Sequence, residues 1–235
     1  MKYTFYLLFL VFQLTVCRGQ NLEKPAEFCV INMLGAELYE NPSFESRILY
    51  KLKISDKLTS KTIISTEDTK KIGPEFSLDG DWIKTRVSGY NGFVFSSDLT
   101  KKNPIIKTNA YGQITVDLLG TKLNDKIVER IITIEGREYH VQDKITEYEN
   151  GIYTYKAFDN CFDHLTEYRN LELNEVYHQM VSRYSIFSYS GGYLLPVFQE
   201  RIGKIIKFGS QGATEDLKIE LKENGIIKVS SYDCT

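Results

Sequence analysis

The sequence predicts a mostly β protein: a small barrel followed by a second β-rich domain of antiparallel hairpins, with one short helix. Aromatic residues make up 13% of the chain, and their rings fit the pleated surface of a sheet well. Short strand-like runs alternate with turn residues through the first part of the chain, as a small barrel requires. Asn-Gly pairs at 150–151 and 224–225 favour hairpin turns further along.

The chain is ordinary in composition and nearly neutral. Its 235 residues suffice for one large or two small domains, and 42% of them are hydrophobic, enough for a packed core. The formal net charge is −2, so there is no overall basic field to attract a polyanion. We therefore expect no nucleic-acid partner.

Residues 1–19 are predicted to be a signal peptide. Lys2 precedes an uncharged, mostly apolar run over 3–16, which is too short to span a membrane but suits a signal-peptide core. Small residues at Cys17 and Gly19 favour cleavage directly after them. No later run approaches the roughly 20 apolar residues of a membrane-spanning helix. We expect an exported protein, periplasmic or extracellular, with no transmembrane segment after cleavage.

A second interpretation of the leader is lipoprotein processing. The letters LTVC resemble a lipobox, and Cys17 would then be the lipidated residue. Val16 fits this interpretation poorly, because a small residue normally precedes the cysteine of such sites. A lipidated chain would be a structural or assembly protein tethered to a membrane at its start.

The run GDWIKTRVSGYNGFVFSSDL, residues 80–99, predicts two strands around a tight turn. Ile83 and Trp82 lie on opposite faces of the first strand, and Ile83 is expected to point into the barrel. The Trp82 ring is expected to lie on the rim against Tyr39 or Phe95, with its indole N–H available to a partner. The parts of the barrel that lead to this run are predicted as a strand near Phe28, a turn at 41–43, strands over 47–52 and 57–65, and a polar excursion over 66–80.

Beyond a polar linker at 101–109, the second domain is predicted over 110–235. Hairpin turns are expected at 135–136 and at the two Asn-Gly pairs named above. One segment follows the 3.6-residue period of a helix, and Asn174 is placed to cap its start. Its apolar positions are Leu173, Val176, Tyr177, Met180, Val181 and Tyr184.

Residues 28–100 resemble a bacterial SH3 domain, over about a third of the chain. The resemblance rests on the arm AELYENPS, on RILYKLKISDKL, and on the ordered motif positions Gly80, Trp82, Lys84, Gly89, Gly92-Phe93-Val94 and Ser96 to Leu99. Two positions depart from the family pattern: Glu40 replaces an arginine and Ser55 a glycine, and the connection from Ile64 to Gly80 is longer than usual.

The resemblance implies a binding function. Four aromatic residues, Tyr39, Trp82, Tyr90 and Phe95, would line a shallow groove for an extended peptide or a glycan strand. Alternatively, the same side chains only complete a small core. The predicted function is an exported, non-enzymatic binding protein of the bacterial cell envelope, which contacts peptidoglycan or a protein partner and uses no cofactor.

The competing prediction is an envelope hydrolase. Cys161 and His164 have a ligand-like spacing, and His140 and His178 together would complete a tetrahedral metal set. In a cysteine enzyme, His164 and His178 would approach the Cys161 thiol. No close-spaced second motif accompanies them, so neither a metal site nor catalytic residues are assigned. Instead, Cys161 is expected to pair with Cys234 in a disulfide, since export permits a bridge and the pairing would anchor the C-terminal tail.

Overall fold

The computed structural model describes residues 18–110, 112–188 and 191–234. Most of the predicted signal peptide and the candidate lipidation residue Cys17 lie outside this part of the chain. Strands make up 62% of the structure, which also has one α-helix and confirms the mostly β fold class.

The N-terminal half forms a curled, antiparallel half-barrel. Its strands are β1 (Arg18–Val30), β2 (Ala36–Tyr39), β3 (Ile48–Leu52), β4 (Lys57–Ser65), β5 (Thr69–Gly73), β6 (Phe76–Asp79), β7 (Trp82–Val87), β8 (Tyr90–Phe95) and β9 (Leu99–Thr100). Seven of them pair in the order β3-β2-β8-β7-β4-β1-β9, while β5 and β6 form a separate hairpin. A 3-10 turn, Ser96–Asp98, links β8 to β9.

The C-terminal half contains an eight-stranded antiparallel sheet and one α-helix. The elements of this half are β10 (Ile105–Thr108), β11 (Ile114–Asp117), β12 (Lys122–Ile134), β13 (Arg137–Tyr148), β14 (Gly151–Phe158), β15 (Cys161–Tyr168), α1 (Leu173–Tyr184), β16 (Ile186–Phe187), β17 (Tyr193–Leu194), β18 (Val197–Ile202), β19 (Ile205–Gly209), β20 (Thr214–Leu221) and β21 (Ile227–Cys234). The strand order in the large sheet is β12-β13-β14-β15-β21-β20-β19-β18.

Residue alternation along β7 follows the sequence pattern with one difference. Ile83 is buried in the core of the half-barrel, and the neighbouring Lys84 and Arg86 are exposed, as period-two alternation requires. Trp82 lies on the outward-facing side but is buried as well, because other aromatic side chains cover it. At the β7–β8 turn, Ser88 and Gly89 have φ values of 50° and 87°, which suit a tight hairpin.

The hairpin turns of the second sheet agree closely with the sequence. Glu135 and Gly136 form the β12–β13 turn, both with positive φ. The turn between β13 and β14 lies one residue earlier than the Asn-Gly pair at 150–151, because Tyr148 pairs with Gly151 across the turn. At the third turn the Asn-Gly pair 224–225 adopts positive φ in the loop between β20 and β21.

Helix α1 covers the predicted segment, but its cap differs from the prediction. The N-cap is Glu172, whose side chain accepts a hydrogen bond from the Glu175 backbone while the Glu175 side chain accepts one from the Glu172 backbone. Asn174 does not cap the helix. Its side chain is buried and its Nδ2 lies 3.4 Å from the backbone oxygen of Ser97 in the half-barrel.

A common hydrophobic cluster joins the two halves. The stretch predicted as a polar excursion forms the β5–β6 hairpin, and its Phe76 and Leu78 are buried. They pack in one cluster with Tyr177 of α1 and Phe208 of β19. The predicted linker also contains an element, since β10 pairs with β11. Helix α1 therefore packs between the half-barrel and the second sheet, while the domain boundaries themselves stay a prediction.

Candidate functional site

Three of the four aromatic residues predicted to line a groove are instead buried together. Trp82, Phe95 and Tyr39 form one cluster, with exposed fractions of 0%, 2% and 9%. The ring centroids of Trp82 lie 5.4 Å from Tyr39 and 5.1 Å from Phe95, and Phe44 packs 4.9 Å from the indole. These contacts are those of a core, so the indole offers no open surface to a ligand.

The indole nitrogen of Trp82 has a protein partner. Nε1 donates a hydrogen bond to Oδ2 of Asp68, 2.6 Å away. The expected packing of the ring on Tyr39 and Phe95 is present, and the donor is satisfied inside the protein. The bond positions Asp68 on the chain that precedes β5, where it lines a surface cavity.

Tyr90 does not join the other three aromatic residues. Across the β7–β8 hairpin Trp82 pairs with Phe95, whereas Tyr90 pairs with Val87 at the opposite end. Tyr90 is 49% exposed, and its ring stacks on Tyr50 at 6.4 Å. The four side chains therefore do not line a common groove, because the strand register separates Tyr90 from the other three.

A cleft of about 430 Å³ lies between the half-barrel and the start of helix α1. Four apolar residues of the half-barrel line it, of which Ile63 is half-buried and Phe28, Ile83 and Leu99 are buried. The charged residues that line it are Lys101 and Lys102 after β9, Asp81 before β7, and Glu172 and Glu175 at the helix start. We call this space the interdomain cleft.

Hydrogen bonds between distant residues fix the shape of the interdomain cleft. The hydroxyl of Thr100 donates to Oε1 of Glu175, while Oε2 of Glu175 accepts from the Glu172 backbone at 2.9 Å. Both carboxylate oxygens of this buried glutamate are thus satisfied. The Thr100 hydroxyl also accepts from the Lys102 backbone N–H at 3.0 Å, which ties the lysine segment to the helix start.

The remaining charges of the interdomain cleft are available to a ligand. Lys101, Lys102 and Asp81 form no ion pair with any residue in the described part of the chain. Lys101 lies above the Phe28 ring, with Nζ 5.6 Å from the centroid. Both signs of charge therefore stand beside an apolar wall, an arrangement that suits a zwitterionic ligand with apolar parts.

A second cavity of about 350 Å³ adjoins the interdomain cleft. Three residues line both cavities, so the cavities adjoin there: Asp81, Ser96 and Glu172. Acidic residues Glu67, Asp68 and Asp79 also line the second cavity, which makes this end of the combined space negative. A cationic group of a ligand would be favoured at this end.

A buried polar network holds α1 against the half-barrel. Asp98, 4% exposed, accepts hydrogen bonds from Lys70 Nζ at 2.6 Å and from Asn32 Nδ2 at 2.9 Å. Nε2 of His178 in α1 lies 3.4 Å from Oδ1 of Asp98 and 3.0 Å from the Ser97 carbonyl oxygen. Burial would raise the pKa of Asp98, but His178 and Lys70 outweigh it and lower the pKa. No local sequence motif predicts this network, because its residues are far apart in the chain.

The structure gives Cys161 no free thiol. Cys161 and Cys234 pair opposite each other on β15 and β21 and form a disulfide, the pairing expected from the sequence. Cys161 therefore has neither the thiolate of a cysteine hydrolase nor a sulfur for a metal. Cys29 is the free cysteine of the described residues, and burial raises the pKa of its thiol.

The three histidines do not converge. His140 is exposed on β13, His178 is buried in the Asp98 network, and His164 lies on β15 beside Tyr153. Within residues 18–110, 112–188 and 191–234, no group of three or more His, Cys, Asp or Glu side chains is arranged to hold a metal ion. The described chain likewise contains no helix long and apolar enough to cross a membrane.

Comparison with protein-family models, with curated proteins and with solved structures gives no match. The resemblance to bacterial SH3 domains over residues 28–100 stays a prediction that rests on the sequence motifs.

Proposed function

We propose that this chain is an exported, non-enzymatic binding protein of the bacterial cell envelope, and that the interdomain cleft binds the peptide part of peptidoglycan. The observation that carries the proposal is the set of unpaired charges in that cleft. Lys101 and Lys102, which follow β9, and Asp81, which precedes β7, line the cleft together with apolar residues. This location replaces the groove expected from Tyr39, Trp82, Tyr90 and Phe95.

The charges favour a peptide over a neutral glycan. The peptide part of peptidoglycan carries carboxylates, which match Lys101 and Lys102, and amino groups, which match the acidic end of the cleft. Its short aliphatic side chains match the apolar lining at the half-buried Ile63. A peptide segment of an envelope protein has the same chemistry and is the alternative partner.

The proposed location follows from the leader. Residues 1–19 would direct export, and the processed protein would be periplasmic or extracellular. Lipidation at Cys17 would instead leave it tethered to a membrane, as a structural or assembly lipoprotein. Palmitate labelling that disappears in a Cys17→Ser variant identifies the lipoprotein, and absence of labelling identifies the untethered protein.

Retention on isolated cell-wall sacculi tests the binding function. The chain from Gln20 onward is expected to sediment with sacculi at low salt. A double Lys101→Glu and Lys102→Glu variant is expected to lose about 90% of that retention, because both charges that meet ligand carboxylates are reversed. The matched control is Lys53→Glu with Lys204→Glu, which changes the net charge equally at two exposed sites outside the cleft.

Two results would count against the proposal. Absence of retention of the unmodified chain at low salt rules out the cell wall as the ligand, and capture of an envelope protein through the same two lysines would then identify the alternative partner. Equal retention of the cleft variant and the control places the binding surface elsewhere.

A further inference from the structure

A hydrogen-bonded chain of side chains lies at the far end of helix α1 from the interdomain cleft. Tyr153 of β14, His164 of β15 and Asp233 of β21 project from the face of the second sheet that α1 covers. The Tyr153 hydroxyl lies 2.7 Å from Nδ1 of His164, and Nε2 of His164 lies 3.2 Å from Oδ2 of Asp233. Arg183, in the last turn of α1, places its guanidinium carbon 4.7 Å from the centre of the Tyr153 ring.

The directions of the hydrogen bonds follow from the donors available. Burial, and then the charge of Arg183, lower the pKa of His164, so its imidazole is neutral at pH 7. A neutral imidazole has one N–H, and the Asp233 carboxylate at Nε2 can only accept it. Nδ1 therefore carries the lone pair and accepts the proton of the Tyr153 hydroxyl. The order Asp, His, hydroxyl is that of a general-base relay.

Arg183 adds a fixed positive charge beside this relay. Burial opposes that charge, but the hydroxyls of Tyr184 and Tyr153 outweigh it and raise the pKa of the guanidinium. Arg183 forms no ion pair with a carboxylate among the residues that the structure describes. Its field therefore stabilises negative charge that develops on the Tyr153 oxygen or on a group bound next to it.

The relay is open to solvent at one end. The side chain of His164 is 21% exposed and that of Asp233 is 23% exposed. Tyr153 is half-buried, and its hydrogen bond with His164 holds the hydroxyl in one position. Arg183 stacks on the rings of Tyr153 and Tyr184, which places its positive charge beside the same hydroxyl–imidazole pair.

We propose that Tyr153 is a nucleophile, activated by His164 and Asp233, that accepts a tetrahedral phosphoryl or sulfonyl group held by Arg183. In the step, the Tyr153 oxygen forms a bond to phosphorus or sulfur and its proton moves to Nδ1 of His164. The bond from phosphorus or sulfur to the leaving group breaks, and that group departs with the bonding electron pair. Asp233 stabilises the imidazolium that results, and Arg183 stabilises the charge on the transferred group. This activity goes beyond the binding function proposed above and does not depend on it.

Site-resolved labelling of the full chain, with its disulfide intact, tests the proposal. The probes are phenylmethylsulfonyl fluoride, which releases fluoride, and 4-nitrophenyl phosphate, which releases nitrophenolate. Tyr155 is the internal control, since it lies on the same strand and face, is also half-buried, and forms no hydrogen bond with His164 in the described structure. Tyr153 is expected to react with the sulfonyl fluoride roughly a hundredfold faster than Tyr155, as general-base assistance allows.

Two variants test whether His164 activates Tyr153 or whether Tyr153 is labelled faster only because of its position. His164→Gln is expected to reduce the labelling rate of Tyr153 to that of Tyr155, while Tyr155→Phe leaves it unchanged. Mass spectrometry of the intact Cys161–Cys234 peptide and circular dichroism verify that each variant is folded. If His164→Gln does not fold, the ratio of the labelling rates of Tyr153 and Tyr155 in the unmodified chain tests the proposal by itself.

Equal labelling of Tyr153 and Tyr155, or an unchanged Tyr153 rate in folded His164→Gln, would overturn the proposal. The two probes distinguish the transferred group. Phosphotyrosine at Tyr153 identifies a phosphoryl acceptor, whereas labelling by the sulfonyl fluoride alone supports the nucleophile and excludes the phosphoryl source. Loss of sacculus binding has no bearing on either result, so failure of one proposal is distinguishable from failure of the other.

Discussion

Lys70 Nζ lies 2.6 Å from Oδ2 of Asp98, and this ion pair fastens the β5–β6 hairpin to the 3-10 turn beneath helix α1. His178 approaches the same carboxylate from the helix. Asp98→Asn is expected to lower the free energy of unfolding by about 2 kcal/mol at pH 7, since the half-buried Lys70 ammonium then lacks its carboxylate partner. Urea unfolding measures the change. The control is Glu40→Gln in the exposed Arg47–Glu40 pair, which should leave the urea midpoint nearly unchanged.

The same carboxylate gives the protein a specific dependence on pH. The pKa of Asp98 is lowered from its ordinary value of 3.8, so its stabilising effect is fully present above that value. The effect is lost as the pH falls through the lower pKa of the folded state. The difference in stability between the unmodified protein and Asp98→Asn is expected to hold down to about pH 4 and to shrink below it. A difference that persists unchanged at pH 2 would contradict this assignment.

Trp82 is expected to be a core residue in stability measurements. Trp82→Ala should lower the free energy of unfolding by about 4 kcal/mol, because it opens a cavity in the aromatic cluster and removes the donor to Asp68. Tyr90→Ala, at the exposed end of the same hairpin, should change it by only about 0.5 kcal/mol. Similar values for the two variants, measured by urea unfolding, would show that Trp82 is not packed as described.

A side chain at Gly92 is expected to destabilise the half-barrel. A Cβ atom there would lie 2.4 Å from the backbone oxygen of Tyr39, which cannot move aside without shifting β2. Gly92→Ala should therefore cost about 2 kcal/mol. Gly89 has a φ of 87° but no atom within 4 Å of an added Cβ, so Gly89→Ala should cost about 1 kcal/mol, from backbone strain alone. Thermal unfolding ranks the two, and the reverse order would be inconsistent with the close approach of β2 and β8.

The disulfide is expected to stabilise the second sheet. It joins Cys161 and Cys234 across 73 residues, and reduction should cost about 4 kcal/mol by releasing that loop in the unfolded chain. Differential scanning calorimetry with and without reductant measures the shift in Tm. A Cys161→Ser, Cys234→Ser double variant should have the lower Tm and no response to reductant. An unchanged Tm of the unmodified protein after verified reduction would contradict the prediction.

Local features of the chain were predictable because their physical causes are local. The alternation along β7 places Ile83 inward, the 3.6-residue period identifies α1, and the Asn-Gly pair at 224–225 lies in a turn with positive φ. Side-chain periodicity and the φ angles that a turn needs depend on residues only a few positions apart. Such patterns predict where strands, turns and helices lie along the chain, but they do not predict which of these elements pack against each other.

Contacts between distant residues were decided by the tertiary structure. The sequence left open whether the aromatic residues around Trp82 line a groove or complete a core, and the core forms because Tyr39, Phe44 and Phe95 converge on that ring when β2, β7 and β8 pair. The Thr100–Glu175 hydrogen bond, between residues 75 positions apart, shapes the interdomain cleft, and the relay at Tyr153 needs three strands and the end of α1. The composition and short-range patterns of this chain thus determine its β character and its helix. The packing of two sheets around that helix decides where its charged and reactive side chains come together, because burial and hydrogen bonding depend on distances in space.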